Sequence, residues 1–265
     1  VINLGGFLWL RLFPVFDGFT AGHMVLLVFG GMTAIVAILT MMTQYSVKHA
    51  LAWSTCAQMG FMLFEIGMGA YTLALLHLLA HSLYKAHSFL ASGRTVAVSA
   101  ANPFPESSPA SRLFWAGSTG LLAAAILVLA PWIVENNPVF GALLVLAVSA
   151  AAMGIPAGAT SAVKLRLAGL AVLLVPLYSL LHFLVGPAVP VHEGFVIPIA
   201  AWSVASAMIA VLAVFSLMIV FGARFRITRT LCVHFRQGLY LELPFDRLTH
   251  YLAAEALKVP EMFHR

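Results

Sequence analysis

Charge is scarce in this chain. Only 9% of its 265 residues are Asp, Glu, Lys or Arg, against 62% hydrophobic residues. The mean hydropathy is +1.00. A water-soluble domain of this length needs far more surface charge, so the composition excludes one and points to a polytopic membrane protein. Cysteine is scarcer still. Cys56 lies in an apolar run and Cys232 beside a basic one, which excludes a disulfide framework and gives no zinc-binding spacing. No basic stretch with an apolar core and cleavage site opens the sequence, so no signal peptide is read. Phosphate-binding glycine loops, nucleophile elbows and metal-ligand clusters are missing too. The chain is therefore read as no enzyme by itself, with no cofactor and no metal. Its net charge of +5 raises nucleic acid as a partner, but in a membrane protein such a charge more often reflects basic cytoplasmic loops; no nucleic-acid partner is expected.

What the chain has in quantity is apolar sequence. Runs of the ~20 residues that cross a bilayer are expected at 23–44, 49–69, 71–98, 113–134, 138–160, 165–187 and 195–222. A further run, 2–16, is too short to span alone. The expected fold is an all-α, polytopic transmembrane helix bundle. It has about seven full spans, a partial first helix and a C-terminal amphipathic cytoplasmic helix. If the spans alternate in direction, one side carries Lys48, His49, Arg94, Arg112, Lys164, Arg166, Arg224, Arg226, Arg229 and Arg236. The other carries Asp17, Glu135 and Glu193, without Lys or Arg. By the positive-inside rule the basic side and the C-terminus are cytoplasmic, in a multi-pass inner (plasma) membrane protein.

Four regions follow: 1–98, rich in buried charge; a cytoplasmic Pro/Ser loop, 99–112; a nearly uncharged stretch of helices, 113–223; and a polar tail, 224–265. In the tail, Phe245, Leu248 and Leu252 recur at helical spacing, with Arg247 and His250 between them. Such a helix lies on the membrane or against a partner, or folds back on its own bundle. Together with Arg224, Arg226 and Arg229, it forms the expected docking surface.

The segment "HLLAHSLYKAHSFLASG", 77–93, is greasy enough for a membrane yet holds His77, His81, Lys85 and His87. Residues four apart share a helix face, so His77, His81 and Lys85 form a stripe about 12 Å long at 1.5 Å per residue. Tyr84, Ser88 and Ser92 fall on that stripe, and His87 points elsewhere. Histidine accepts and donates protons near neutrality. A lysine near an acidic partner stays charged and releases its proton when that partner is neutralised or moves. Ionisable residues are costly at mid-bilayer and usually line pathways. A zinc site at His77 and His81 is disfavoured, because the segment brings no carboxylate or thiol and Lys85 repels a cation. Glu65 needs a Lys or His on a neighbouring helix, as a pathway member or as a structural ion pair. His182, which follows Pro176, reads as structural first and as a possible pathway member second. Lys48 reads as an interfacial anchor.

"QYSVKHALAWSTCAQMGFMLFEIGMGAY", followed by "ALLHLLAHSLYKAHSFLASG", resembles the core of the proton-conducting antiporter-like membrane subunits. That family includes the L subunit of respiratory complex I and cation/proton antiporter subunits. "INLGGFLWLR", "LAWSTCAQMGFM" and "AHSLYKAHSFL" look most like the DabB-type subunit of DAB inorganic carbon transporters. The resemblance implies a membrane subunit that supplies proton-motive energy to a large cytoplasmic zinc protein, DabA-like and similar to β-carbonic anhydrase. It implies that Lys85 matches the buried channel lysine, His77 and His81 the relay histidines, and Lys48 the lysine of the family's T-D-x-K-R block. Ser46 and His49 stand where relatives of complex I have Asp and Arg. The later family block ending in lysine is not recognisable, and the chain is expected to begin inside a family helix. If the chain is split, the upstream half of the antiporter-like domain is a further expected partner, beside the lipid bilayer. Two alternatives remain: a subunit of a respiratory NADH-quinone oxidoreductase or cation/proton antiporter, and a non-transporting anchor.

Overall fold

The structure is a computed structural model that describes residues 2–16, 18–93, 109–134, 137–156, 158–188, 198–221 and 225–258. Asp17, Arg94, Glu135, Glu193 and Arg224 lie outside the described residues. Among the described residues all regular structure is helical. The helices are α1 (Ile2–Phe16), α2 (Thr20–Thr43), α3 (Val47–Gly67), α4 (Tyr71–Ala91), α5 (Pro109–Leu129) and α6 (Pro138–Met153). They continue with α7 (Ser161–Val172), α8 (Leu174–Val185), α9 (Ile199–Phe221), α10 (Arg226–Arg236) and α11 (Glu242–Lys258).

Helices α2, α5, the joined α7–α8 and α9 are both long and apolar enough to cross a membrane. Of the other expected spans, α6 is apolar but has 16 residues. Helices α3 and α4 have 21 residues each, long enough at 1.5 Å per residue. They miss the apolarity of the other four because they carry Lys48, Gln58, Glu65, His77, His81 and Lys85. The run expected at 165–187 is interrupted at Leu173; Pro176 has no N–H to offer the Val172 carbonyl. Helix α5 starts at Pro109, inside the stretch expected as loop. Proline suits a first turn, where its missing N–H has no helical partner anyway. Asn137 starts α6 by accepting from Val139 N at 3.1 Å and Phe140 N at 3.3 Å, which satisfies two otherwise orphaned donors.

Helices α2 and α3 pack backbone to backbone. A Cβ on Gly30 would lie 2.6 Å from Phe64 N, and one on Gly60 2.6 Å from Ala34 N. Small residues allow this approach, and dispersion then holds the pair together where lipid offers no hydrophobic drive. Helix α1 covers α3 and α4, with Trp9 and Leu10 against Met59, Met62, Ile66 and Leu78. Helices α5 to α8 form a second group. Helix α9 joins the two by packing on α2 and α6, and Leu27, Phe64, Val148 and Ala205 meet in the shared core.

The tail is two helices, where one was expected. Gly238, Leu239 and Tyr240 all have positive φ, 59°, 53° and 59°, which turns the chain between α10 and α11. Helix α10 is held at the end of α2: Gln44 Nε2 donates to the Arg236 carbonyl at 3.2 Å, and the Arg236 guanidinium lies 4.1 Å from the Tyr45 ring centroid. Phe245, Leu248 and Leu252 on α11 are exposed, so they do not fold back on the bundle.

Candidate functional site

The site is built by the hairpin of α3 and α4. Its turn needs Gly69, at φ +71°, a conformation that costs an L side chain roughly 1–2 kcal/mol. Gly69 N bonds the Ile66 carbonyl and Ala70 N bonds the Glu65 carbonyl, both at 2.9 Å, which closes the end of α3 as a Schellman motif. So short a turn sends α4 back antiparallel to α3, and Glu65 is fixed where it faces α4.

On α3, Ser54, Gln58 and Glu65 share a face, since offsets of four and eleven residues return to nearly the same angle. All three meet the ionisable stripe of α4. The His77 Nδ1 lies 3.1 and 3.0 Å from the two carboxylate oxygens of buried Glu65, an ion pair when His77 is protonated. The other ring nitrogen, Nε2, contacts Gln58 Oε1. With both nitrogens donating, this arrangement suits imidazolium; a half-turn of the Gln58 amide, isosteric at this level, suits the neutral ring. His81 is 6% exposed, and neither ring nitrogen has a hydrogen-bond partner among the described residues. Lys85 is also 6% exposed. Its Nζ donates to the Leu51 carbonyl at 3.4 Å and to Ser54 Oγ. The result is a succession of carboxylate, imidazole, imidazole and ammonium, with about 6 Å of helix axis between each pair of neighbours on α4.

Other expected members stand apart. Tyr84 is 62% exposed, about 100° round the helix from Lys85; its ring centroid nevertheless lies 5.5 Å from Lys85 Nζ. The Ser88 and Ser92 hydroxyls donate to the Tyr84 and Phe89 carbonyls. Lys48 is exposed in the first turn of α3, about 120° round from Ser54. The His182 ring lies beside that of Tyr178, centroids 5.9 Å apart. Arg226 and Arg229 are exposed on α10. Glu65 supplies a carboxylate to His77, but among the described residues no three His, Cys, Asp or Glu side chains form a metal-ligand set. Reading for charge alone misses Ser54 and Gln58, although their spacing to Glu65 marks one face. It also misses the buried pair His23 and Tyr71, whose Nε2 and Oη are 2.7 Å apart.

The NADH:quinone oxidoreductase/Mrp antiporter transmembrane family matches residues 1–165, which takes in α1 to α6 and the whole hairpin. The chain belongs to this family. It is therefore a multi-pass membrane protein of antiporter-like type. It is 36% identical over 183 residues to a probable inorganic carbon transporter subunit DabB of Hydrogenovibrio crunogenus, a match covering 68% of this chain and 35% of that protein. It is 46% identical over 93 residues to a probable inorganic carbon transporter subunit DabB2 of Halothiobacillus neapolitanus, covering 35% of this chain and 17% of that protein. The NADH-quinone oxidoreductase subunit L of Rhodobacter capsulatus is 34% identical over 96 residues, covering 36% of this chain and 14% of that protein. The chain thus spans about a third of the length of the DabB relative and less of the other two.

Proposed function

We propose that the chain conducts protons and couples the proton-motive force to inorganic carbon (CO2 or bicarbonate) uptake. One observation carries this reading: Glu65, His77, His81 and Lys85 follow one another between α3 and α4, three of them 6% exposed. Groups of that kind are rarely kept inside a membrane without a path to line. Lys85 is the switching member, His77 and His81 the relays, and Glu65 the counter-charge. Lys48 serves at the solvent end near Lys85, with Tyr84 and His182 as subsidiary members. In this reading α3, α4 and α6 also cross the membrane, giving seven spans, and the C-terminus faces the cytoplasm across the inner membrane. Residues 1–98 are the relay part, 113–223 support it, and 224–265 dock the partner through Arg226, Arg229, Phe245, Leu248 and Leu252. Likeness to two inorganic carbon transporter subunits supports another transporter subunit as that partner, in this reading a large cytoplasmic, carbonic-anhydrase-like zinc protein.

The test is uptake of labelled bicarbonate by cells making the chain with its partners. Lys85→Ala is expected to abolish uptake while the assembly still forms in mild detergent. Uptake at the wild-type level in that variant overturns the reading. Likeness to a respiratory subunit L supports a second reading, membership of a quinone-reducing assembly. Mass spectrometry of the copurified chains separates the two: a soluble zinc protein supports the first, redox subunits the second.

A further inference from the structure

We propose that Gln58 is a positioning residue: it makes Nε2 the nitrogen at which His77 exchanges its proton, and so turns that exchange toward Lys85. This rests on the proton-conducting reading above. Helix α3 holds the His77 ring from two sides. Nδ1 lies 3.1 and 3.0 Å from the Glu65 carboxylate oxygens, and Nε2 contacts the Gln58 amide oxygen. Glu65 follows Gln58 by seven residues, about 10 Å of helix axis. A ring that touches both lies between them, with Nδ1 toward the Gly69 turn and Nε2 toward the other end. Ser54, which accepts from the Lys85 ammonium, is one turn beyond Gln58 on that side. Nε2 therefore faces the Lys85 end of the hairpin.

The two neighbours differ in what they offer. A carboxylate only accepts, so Nδ1 keeps its hydrogen whether the ring is charged or neutral. An amide has an acceptor on one side of its tip and donors on the other. Its last torsion is broad and roughly two-fold, so a half-turn exchanges the two in the same space. With His77 as imidazolium, Nε2–H donates to Gln58 Oε1. When that N–H bond breaks, its electron pair stays on Nε2, and the Gln58 amide N–H donates to the pair. The proton passes to a neutral imidazole, in the proposed line His81, which becomes the imidazolium. The reverse restores both rings. Gln58 takes up no proton itself. It gives the half-buried nitrogen a partner before and after the transfer, which an acceptor alone or a cation alone does not.

The groups around His77 that carry charge near neutrality come from few places. Glu65 and the exposed Lys48 and His49 stand on α3, the exposed Arg11 on α1 and His182 on α8, with His81 and Lys85 on α4 itself. Among the described residues Glu65 is the one ion-paired with the ring.

Two measurements on the chain purified with its partners test this. The first is solid-state NMR of the wild type in liposomes, labelled with 15N-histidine and 13C-glutamate. Proximity to a glutamate carboxyl carbon picks out the His77 ring. Across a pH titration Nδ1 is expected to stay protonated while Nε2 gains and loses its hydrogen. A neutral ring protonated on Nε2 overturns the inference, as does a ring that holds one charge state throughout. The second is proton flux in proteoliposomes. Gln58→Met keeps the length of the side chain and removes the amide. It is expected to lower flux by roughly tenfold, the effect of stranding one buried nitrogen, with partners still bound. In the same variant the Nε2 resonance is expected to move and that of Nδ1 to stay, which loss of packing alone does not produce. Wild-type flux in Gln58→Met beside a silent Lys85→Ala overturns the role of Gln58 and leaves the proton line standing. Wild-type flux in both overturns the line as well.

Discussion

Glu65 and His77 pair across the hairpin with almost no solvent around the carboxylate. Removing one partner of a buried pair strands the other group, at a cost of about 3–5 kcal/mol. Removing both leaves nothing stranded. Glu65→Leu is therefore expected to lower the thermal midpoint in detergent more than the double variant with His77→Leu does. A double-mutant cycle should return a coupling of at least about 3 kcal/mol; strictly additive losses contradict the pairing. The stripe of His77, His81 and Lys85 is legible from sequence because a four-residue spacing needs only a helix. The identity of Glu65's partner is not, because it depends on the turn at Gly69. Ser54 and Gln58 escape notice since hydroxyls and amides are common in membrane helices. His23 escapes because a histidine at a span boundary looks interfacial, and only the return of α4 brings Tyr71 against it.

At the scale of helices, the α2–α3 contact leaves no room for a side chain at Gly60. Gly60→Leu is expected to abolish recovery of monodisperse protein. Gly117→Leu, at a site with nothing within 4 Å, should have no such effect, and equal behaviour of the two variants contradicts the packing account. The Asn137 cap predicts a milder loss: Asn137→Ala should cost about 1 kcal/mol, read as a lower unfolding midpoint, and an unchanged midpoint contradicts the cap. Spans α2, α5 and α9 are legible from apolar run length alone. The break at Leu173 follows from Pro176, as a proline allows. The division of the tail was not legible, because Leu239 and Tyr240 adopt a left-handed backbone that neither residue type advertises.

For the whole molecule, the proposed docking surface stands at the Lys85 end of the hairpin. The Lys85 end lies near the end of α2 that holds α10, and α11 extends from there with its apolar side chains exposed. Exposed apolar residues on a polar helix mark a binding face. Phe245→Glu with Leu248→Glu is expected to lose the soluble partner on purification while the chain still inserts in the membrane. Full retention of the partner contradicts docking on α11. The central claim, however, is that the buried line carries protons. Its most direct test is proton flux through the purified assembly in proteoliposomes under an imposed pH gradient, read with an internal dye. The account predicts measurable flux in the wild type and at least a hundredfold less in Lys85→Ala at equal incorporation. Equal flux in the two contradicts it.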